Sequence, residues 1–236
     1  MSDSPTSFAN STTGFPAPGG FFSNPAALAT SAAAPSVASS SVIKQRRRKR
    51  PKPGERRVQI LQTLANMLEE RSNERVTTAL LAARLQISEA ALYRHFASKT
   101  QMFEALLELV ESYLNGLITE IAQAPGTGSE RAVQLVTHLI NFAEENPGLA
   151  RILTGGALVH EHRRLQDRMN VLLERFEAAL RQCLHTDGVS DPATSAELLA
   201  TFAFGRIHVW SRSGFVRKPT VNLAPCLARL VNSQAA

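Results

Sequence analysis

Ser88, Ala90, Tyr93 and Arg94 are the residues whose types and spacing could do chemistry together, and that chemistry is recognition of a polyanion. At about 100° per residue along a helix, Ala90, Tyr93 and Arg94 share one outward face. That face carries a small residue, an amphipathic ring and a guanidinium. Ala90 permits close approach to a groove wall, Tyr93 can reach a phosphate, and Arg94 can pair with phosphate or guanine. Ser88 caps the helix that carries them, and the amides of Ser88 and Glu89 at its N-terminus also suit a phosphate. On an ordinary helical hairpin the same side chains would simply be solvated, so the elements that position them decide the matter.

Those elements are legible over residues 77–96. Thr77 caps a short helix ending near Leu85, and Ser88 caps a second one after a three-residue connection, the spacing of a helix-turn-helix. Leu81, Leu85 and Ile87 pack against Leu92 and Phe96 and so fix the angle between the two helices. Ile60, Leu61, Leu64 and Leu68 stripe a preceding helix over about 56–71. Ser98 caps a longer helix striped from Met102 and Phe103 to Ile121, which the run Pro125-Gly126-Thr127-Gly128 breaks. A helix over 129–145 follows, then a short one after Asn146-Pro147, where Asn is a good N-cap and Pro suits the first helical position. Leu158, Leu165, Met169, Leu172, Phe176 and Leu180 stripe another long helix. Residues 192–212 and 219–232 supply two more, the former apolar on more than one face, as a subunit interface or a domain interior requires. No strand-like alternation is sustained, so the class is all-α: an N-terminal three-helix helix-turn-helix domain over 54–114 and a helical bundle over 115–236.

The charge is placed to suit this. The net charge is +6, with nine of the 26 basic residues crowded into residues 44–57, where Glu55 is the one acid. Beyond residue 57 the remaining 17 basic residues face 18 of the 20 acidic ones, so the body is nearly neutral and the excess is an arm over 44–53. Such an arm attracts phosphates without reading sequence. Residues 1–43 are mostly Ser, Ala, Thr, Pro, Gly and Asn and are expected to be a disordered low-complexity tail. Cys183 and Cys226 are far apart and fit neither a disulfide scaffold nor a cysteine zinc site. His160-Glu161-His162 is not read as a metal site, because positions two apart on a helix do not face each other. No apolar run reaches the length of a membrane span and no signal peptide is expected, which points to a cytoplasmic protein. No nucleophile elbow, phosphate-binding Gly loop or HExxH is present, so neither catalysis nor a cofactor is expected.

Thr77-Thr78-x-x-Leu81-Ala82, then Ser88-Glu89-Ala90-Ala91-Leu92-Tyr93-Arg94-His95-Phe96, then Ser98-Lys99-Thr100 and Met102-Phe103 together resemble the DNA-binding domain of TetR-type regulators. Residues 145–155, 164–168 and 173–177 are similar, more narrowly, to the nucleoid occlusion branch of that family. The resemblance implies that Thr77 helps place the motif on the DNA backbone. It implies that Ser88, Ala90, Tyr93, Arg94 and His95 lie along the major groove, and that Lys99 holds a phosphate at the next helix start. It further implies a homodimer formed by the last two helices and bound to palindromic double-stranded DNA at the nucleoid. The C-terminal tail of the division protein FtsZ is the implied partner. Its groove would lie between the helix starting at Ser98 and the one before Asn146, with Leu109, Asn146, Pro147 and Arg151 at matching positions. The function implied is inhibition of FtsZ ring assembly over the chromosome; the alternative is a ligand-responsive repressor with an apolar effector pocket. Two residues depart from the pattern. Gln86 takes the turn position usually held by Gly, which, if left-handed, costs roughly 1–2 kcal/mol. Glu145 takes a position where relatives carry a base, weakening attraction for an acidic tail.

Overall fold

The computed structural model describes residues 54–70 and 76–232; the tail over 1–43 and the arm over 44–53 lie outside the described residues. Among the described residues every regular element is helical: α1 Glu55–Glu69, α2 Thr78–Leu85, α3 Glu89–Tyr93, α4 Lys99–Gln123, α5 Gly128–Glu145, α6 Pro147–Leu153, α7 Arg163–Thr186, α8 Pro192–Arg212 and α9 Leu223–Asn232.

The first three helices and the start of α4 close around one apolar cluster. Ile60, Leu64 and Leu68 of α1, Leu81 of α2, Leu92 of α3, Phe96 and the Met102–Phe103 pair of α4 are all buried. Each such side chain contributes roughly 1.5–3 kcal/mol relative to remaining in water, which is what fixes helices as short as α2 and α3. The α4 helix then runs unbroken past residue 114, so its second half, buried at Leu114, Leu117 and Ile121, belongs to the body's core.

In the body, α7 packs against α4, α5 and α8, and α9 packs on α8 and α5. The stripe Leu165, Met169, Leu172, Phe176, Leu180 and Leu184 is wholly buried, and Phe176 meets Phe204 of α8 edge to face at 5.9 Å. Arg168 grips Glu111 of α4 with two hydrogen bonds and Arg164 pairs with Glu104, so α7 is also fastened to α4 by charge. The α5 start is a capping box, with Thr127 and Glu130 each satisfying the other's backbone amide. Asp187, just past the end of α7, accepts from the Gly128 and Ser129 amides at 2.7 and 2.8 Å.

Three expectations need correction. Leu158 is buried, but it lies in the turn before α7, which starts only at Arg163; the apolar stripe continued past the helix because the turn folds back onto the same core. The last helix begins at Leu223 rather than 219, because Pro219 to Asn222 form turns and Asn222 is left-handed (φ 56°). Asn146 gives α6 no side-chain cap; its Nδ2 instead donates to the Phe142 carbonyl at 2.8 Å, satisfying the end of α5. Pro147 does occupy the first turn of α6.

Candidate nucleic-acid interface

The geometry of the motif follows from three caps and one strained turn. Thr77 Oγ1 accepts from the Leu80 amide at 3.2 Å, Ser88 Oγ from Ala91 at 3.2 Å, and Ser98 Oγ from Gln101 at 3.1 Å. Each hydroxyl satisfies one of the amides that a helix start leaves without an intrahelical partner. Between α2 and α3 the chain turns at Gln86, whose backbone is left-handed (φ 54°, ψ 46°) and whose amide bonds back to Ala82 and Ala83. The Ile87 amide also donates to Ala82, at 3.0 Å. This double return ends α2 sharply and aims α3 across it. Thr78 Oγ1 donates to Glu89 Oε2 at 2.8 Å and ties the two helices at the corner.

The short α3 buries Leu92 and leaves Ala90, Tyr93 and Arg94 on the outside, with Tyr93 45% exposed. Thr77, Ser88, Glu89 and His95 are exposed as well. Leu81 and Phe96 are buried as expected, while Leu85 and Ile87 are half-buried at the rim of that contact. Of the residues expected at DNA, Ser88, Ala90, Tyr93, Arg94 and His95 thus lie exposed along α3 and its ends, and Thr77 lies exposed at the start of α2.

Lys99 stands apart from the rest. At the first position of α4 it is half-buried, its Nζ paired with Glu161 and lying 5.4 Å from the centre of the Phe103 ring. One residue that charge counting did not single out matters here. Arg57, tallied with the basic arm, lies with its guanidinium 4.0 Å over the Phe96 ring and donates to the His95 carbonyl at 3.0 Å. It therefore braces the His95–Phe96 corner that follows α3. Nothing in the spacing could have signalled this, because α1 and the 93–96 corner meet only in three dimensions.

The residues expected to receive a protein partner gather where α5 turns into α6. Tyr113 of α4 stacks on Phe142 of α5 (4.0 Å, 15°) and its hydroxyl donates to the His138 carbonyl at 3.3 Å. Burial pushes the Tyr113 phenol well above its ordinary value, with Glu145 and Glu120 adding to the shift. Leu109 lies one turn before Tyr113 and Asn146 one turn after Phe142, so that stack places both at the same end of the antiparallel α4–α5 pair. Pro147 follows directly, and Arg151, on the next turn of α6, lies 5.2 Å over the Phe215 ring. Burial lowers the Arg151 pKa from its ordinary value, whereas burial and then the neighbouring Glu144 raise that of Glu145. Glu144 itself is engaged, through Thr220 Oγ1 and Lys218 Nζ.

Residues 60–106 match the family model of bacterial regulatory proteins of the tetR family, and residues 129–234 match that of the SlmA-like, tetracyclin repressor-like C-terminal domain. The chain is 46% identical over 173 residues to the nucleoid occlusion factor SlmA of Alteromonas mediterranea, covering 70% of this chain and 88% of that protein. The SlmA of Pectobacterium carotovorum is likewise 46% identical over 173 residues, at 70% and 87% coverage. Among solved structures, the MbdR regulator from Azoarcus sp. CIB superposes with a TM-score of 0.64 at 19% identity, covering 73% of this chain and 95% of that one. The fatty acid degradation regulator FadR from Bacillus halodurans gives 0.63 at 16%, covering 77% and 97%. At that identity the two structures speak for the fold alone.

Proposed function

Because the chain belongs to the SlmA group of the TetR family of bacterial regulatory proteins, we propose that it is a nucleoid occlusion factor, a sequence-specific DNA-binding homodimer that inhibits FtsZ ring assembly over the chromosome. The observation that carries this reading is the outward face of α3, where Ala90, Tyr93 and Arg94 stand exposed on a helix fixed by Leu92 and Phe96. In the complex, Ala90 lets the backbone approach the major groove, Arg94 reads a guanine edge and Tyr93 takes a phosphate. Thr77, Ser88 and His95 set the register on the sugar-phosphate backbone, and Lys99 meets the phosphate at the start of α4. Residues 54–114 act as the reading head, residues 115–236 as the dimerisation and partner-binding body, and the arm over 44–53 adds affinity without specificity.

A stripe on α8 supports the homodimer. Leu198 and Val209 are 47% and 46% exposed, and Phe202 and Gly205 lie between them at helical spacing. Among the described residues a side chain at Gly205 would meet nothing within 4 Å, so its bareness leaves room for a second helix. A twofold pairing there sets two reading helices roughly 34–36 Å apart on a palindromic site. The FtsZ C-terminal tail is assigned to the α4–α5 groove and the α6 start, against Leu109, Asn146, Pro147 and Arg151. The desolvated Arg151 supplies the positive charge there, while Glu145 reduces the attraction for acidic residues of the tail.

The test is sedimentation of polymerising FtsZ with this protein, with and without a duplex recovered by selection from random sequence. DNA-dependent loss of sedimentable FtsZ is expected. Tight, specific DNA binding with no effect on FtsZ would favour a ligand-responsive repressor of the same family.

A further inference from the structure

The pairing of Lys99 is unusual on physical grounds. A cation at the first position of a helix faces the positive end of the helix dipole, and no acid of α4 lies in its first turn to compensate. The compensation comes from 62 residues away: Glu161 Oε1 lies 2.5 Å from Nζ, with the glutamate side chain only 8% exposed and that of the lysine 21%. The α4 start follows the reading helix after five residues, so the DNA strand flanking the groove that α3 enters must pass close to it. The seat a phosphate would take is already filled by a carboxylate of the same chain.

We propose that Glu161 is an internal competitor for DNA phosphate at Lys99, and that DNA binding releases the turn that carries Glu161. This rests on the DNA-binding reading above and adds its regulation. The turn is built from a chain of hydrogen bonds: the Glu161 amide donates to Leu158, the Leu158 amide to Gly155, and the Ala157 amide to the Arg151 carbonyl. It is thus joined directly to the end of α6. The other end of α6 is seated on the reading head, because Gly148 lies so close to α1 that a Cβ there would stand 2.1 Å from the Ala65 carbonyl oxygen. The short α6, which carries Pro147 and Arg151, is therefore held between the head and the Glu161 turn. When phosphate displaces the carboxylate, α6 keeps its seat on α1 and its contact of Arg151 with Phe215, and loses one of the restraints on its Arg151 end. That is a route by which occupied DNA alters the partner surface.

The test is a salt titration of duplex binding by the full chain and its Glu161→Gln and Lys99→Ala variants, using a labelled duplex of scrambled sequence read by fluorescence anisotropy. The phosphate contact is blind to sequence, so the operator is not needed. Glu161→Gln is expected to bind roughly fivefold more tightly, the size of effect an accessible ion pair can exert. Its log affinity against log salt should steepen by roughly one unit, because the carboxylate that DNA displaces in the unaltered chain takes up a cation from solution and the glutamine takes up none. In the Lys99→Ala background the same change should have no effect. Unchanged affinity and slope in Glu161→Gln, or an equal gain without Lys99, would overturn the proposal while leaving DNA binding itself intact. Failure of the unaltered chain to bind any duplex would instead remove the DNA reading. Amide hydrogen exchange on the unaltered chain provides a check that needs no variant. The Leu158 and Glu161 amides should exchange faster once DNA is bound, and unchanged or slower exchange counts against the release.

Discussion

At the scale of single residues, Arg94 and Gln86 make separable demands. Arg94 is exposed on the proposed reading face, and an Arg fork that grips a guanine edge is worth roughly 1–3 kcal/mol of discrimination. Arg94→Ala should therefore weaken binding to a selected site tenfold or more and binding to scrambled DNA far less. Equal losses in a competition assay would reduce Arg94 to a phosphate contact. Gln86 instead bears conformational strain, since its φ of 54° places a Cβ where glycine has none. Gln86→Gly should raise the urea midpoint, with a net gain of about 0.5–1 kcal/mol because glycine's extra freedom in the unfolded chain offsets part of the relief. A lower midpoint would mean that the Gln86 side chain supplies more than the strain removes.

At the scale of elements, the junctions matter more than the helices. Gly148 is required by the contact of α6 with α1, and Gly148→Ala forces apart two backbones, not two flexible side chains. Overpacking of that kind costs typically 1–3 kcal/mol and occasionally more, and we expect the upper end, read as a lower midpoint in urea. The join between α5 and α7 depends on pH. Hydrogen bonds from Ser129, side chain and amide, and then from Gly128 hold the Asp187 carboxyl below its ordinary value of 3.8. A depressed carboxyl contributes stability that is fully present above its unfolded pKa and is lost as pH falls through the folded one. Asp187→Asn should therefore lower the melting temperature at neutral pH and flatten its fall below pH 3.8; a parallel shift at every pH would show no linked proton. The effect is small, since the carboxylate is largely exposed.

At the scale of the whole molecule, the prediction concerns assembly. Leu198, Gly205 and Val209, with the half-exposed Phe202 beside them, form an apolar strip on α8 that the described residues leave open. Val209→Glu places an unpaired charge in the proposed interface, where burial without a partner is strongly unfavourable. The variant should sediment as a monomer with an unchanged helical spectrum, and it should lose affinity for a palindromic site while keeping much of its affinity for a half-site. A dimer of undiminished stability would move the interface elsewhere.

The amino-acid pattern alone determined the helical class, the caps at Thr77, Ser88 and Ser98, and the outward placement of Ala90, Tyr93 and Arg94. Each of these is set within a few residues, by helical periodicity or by a hydroxyl meeting an amide three positions on. Gln86 is flagged as a point of strain only by the resemblance, since the family usually has Gly at that turn position. Tertiary structure alone decided what lies far apart in the chain: that Arg57 braces the His95–Phe96 corner, that Asn146 turns back to α5, and that Leu158 is core without being helical. It also decided that Lys99, expected to hold a phosphate at the start of α4, is already paired with Glu161. An ion pair between residues 99 and 161 leaves no trace in spacing or composition, because it exists only once α4 and the turn before α7 have packed side by side.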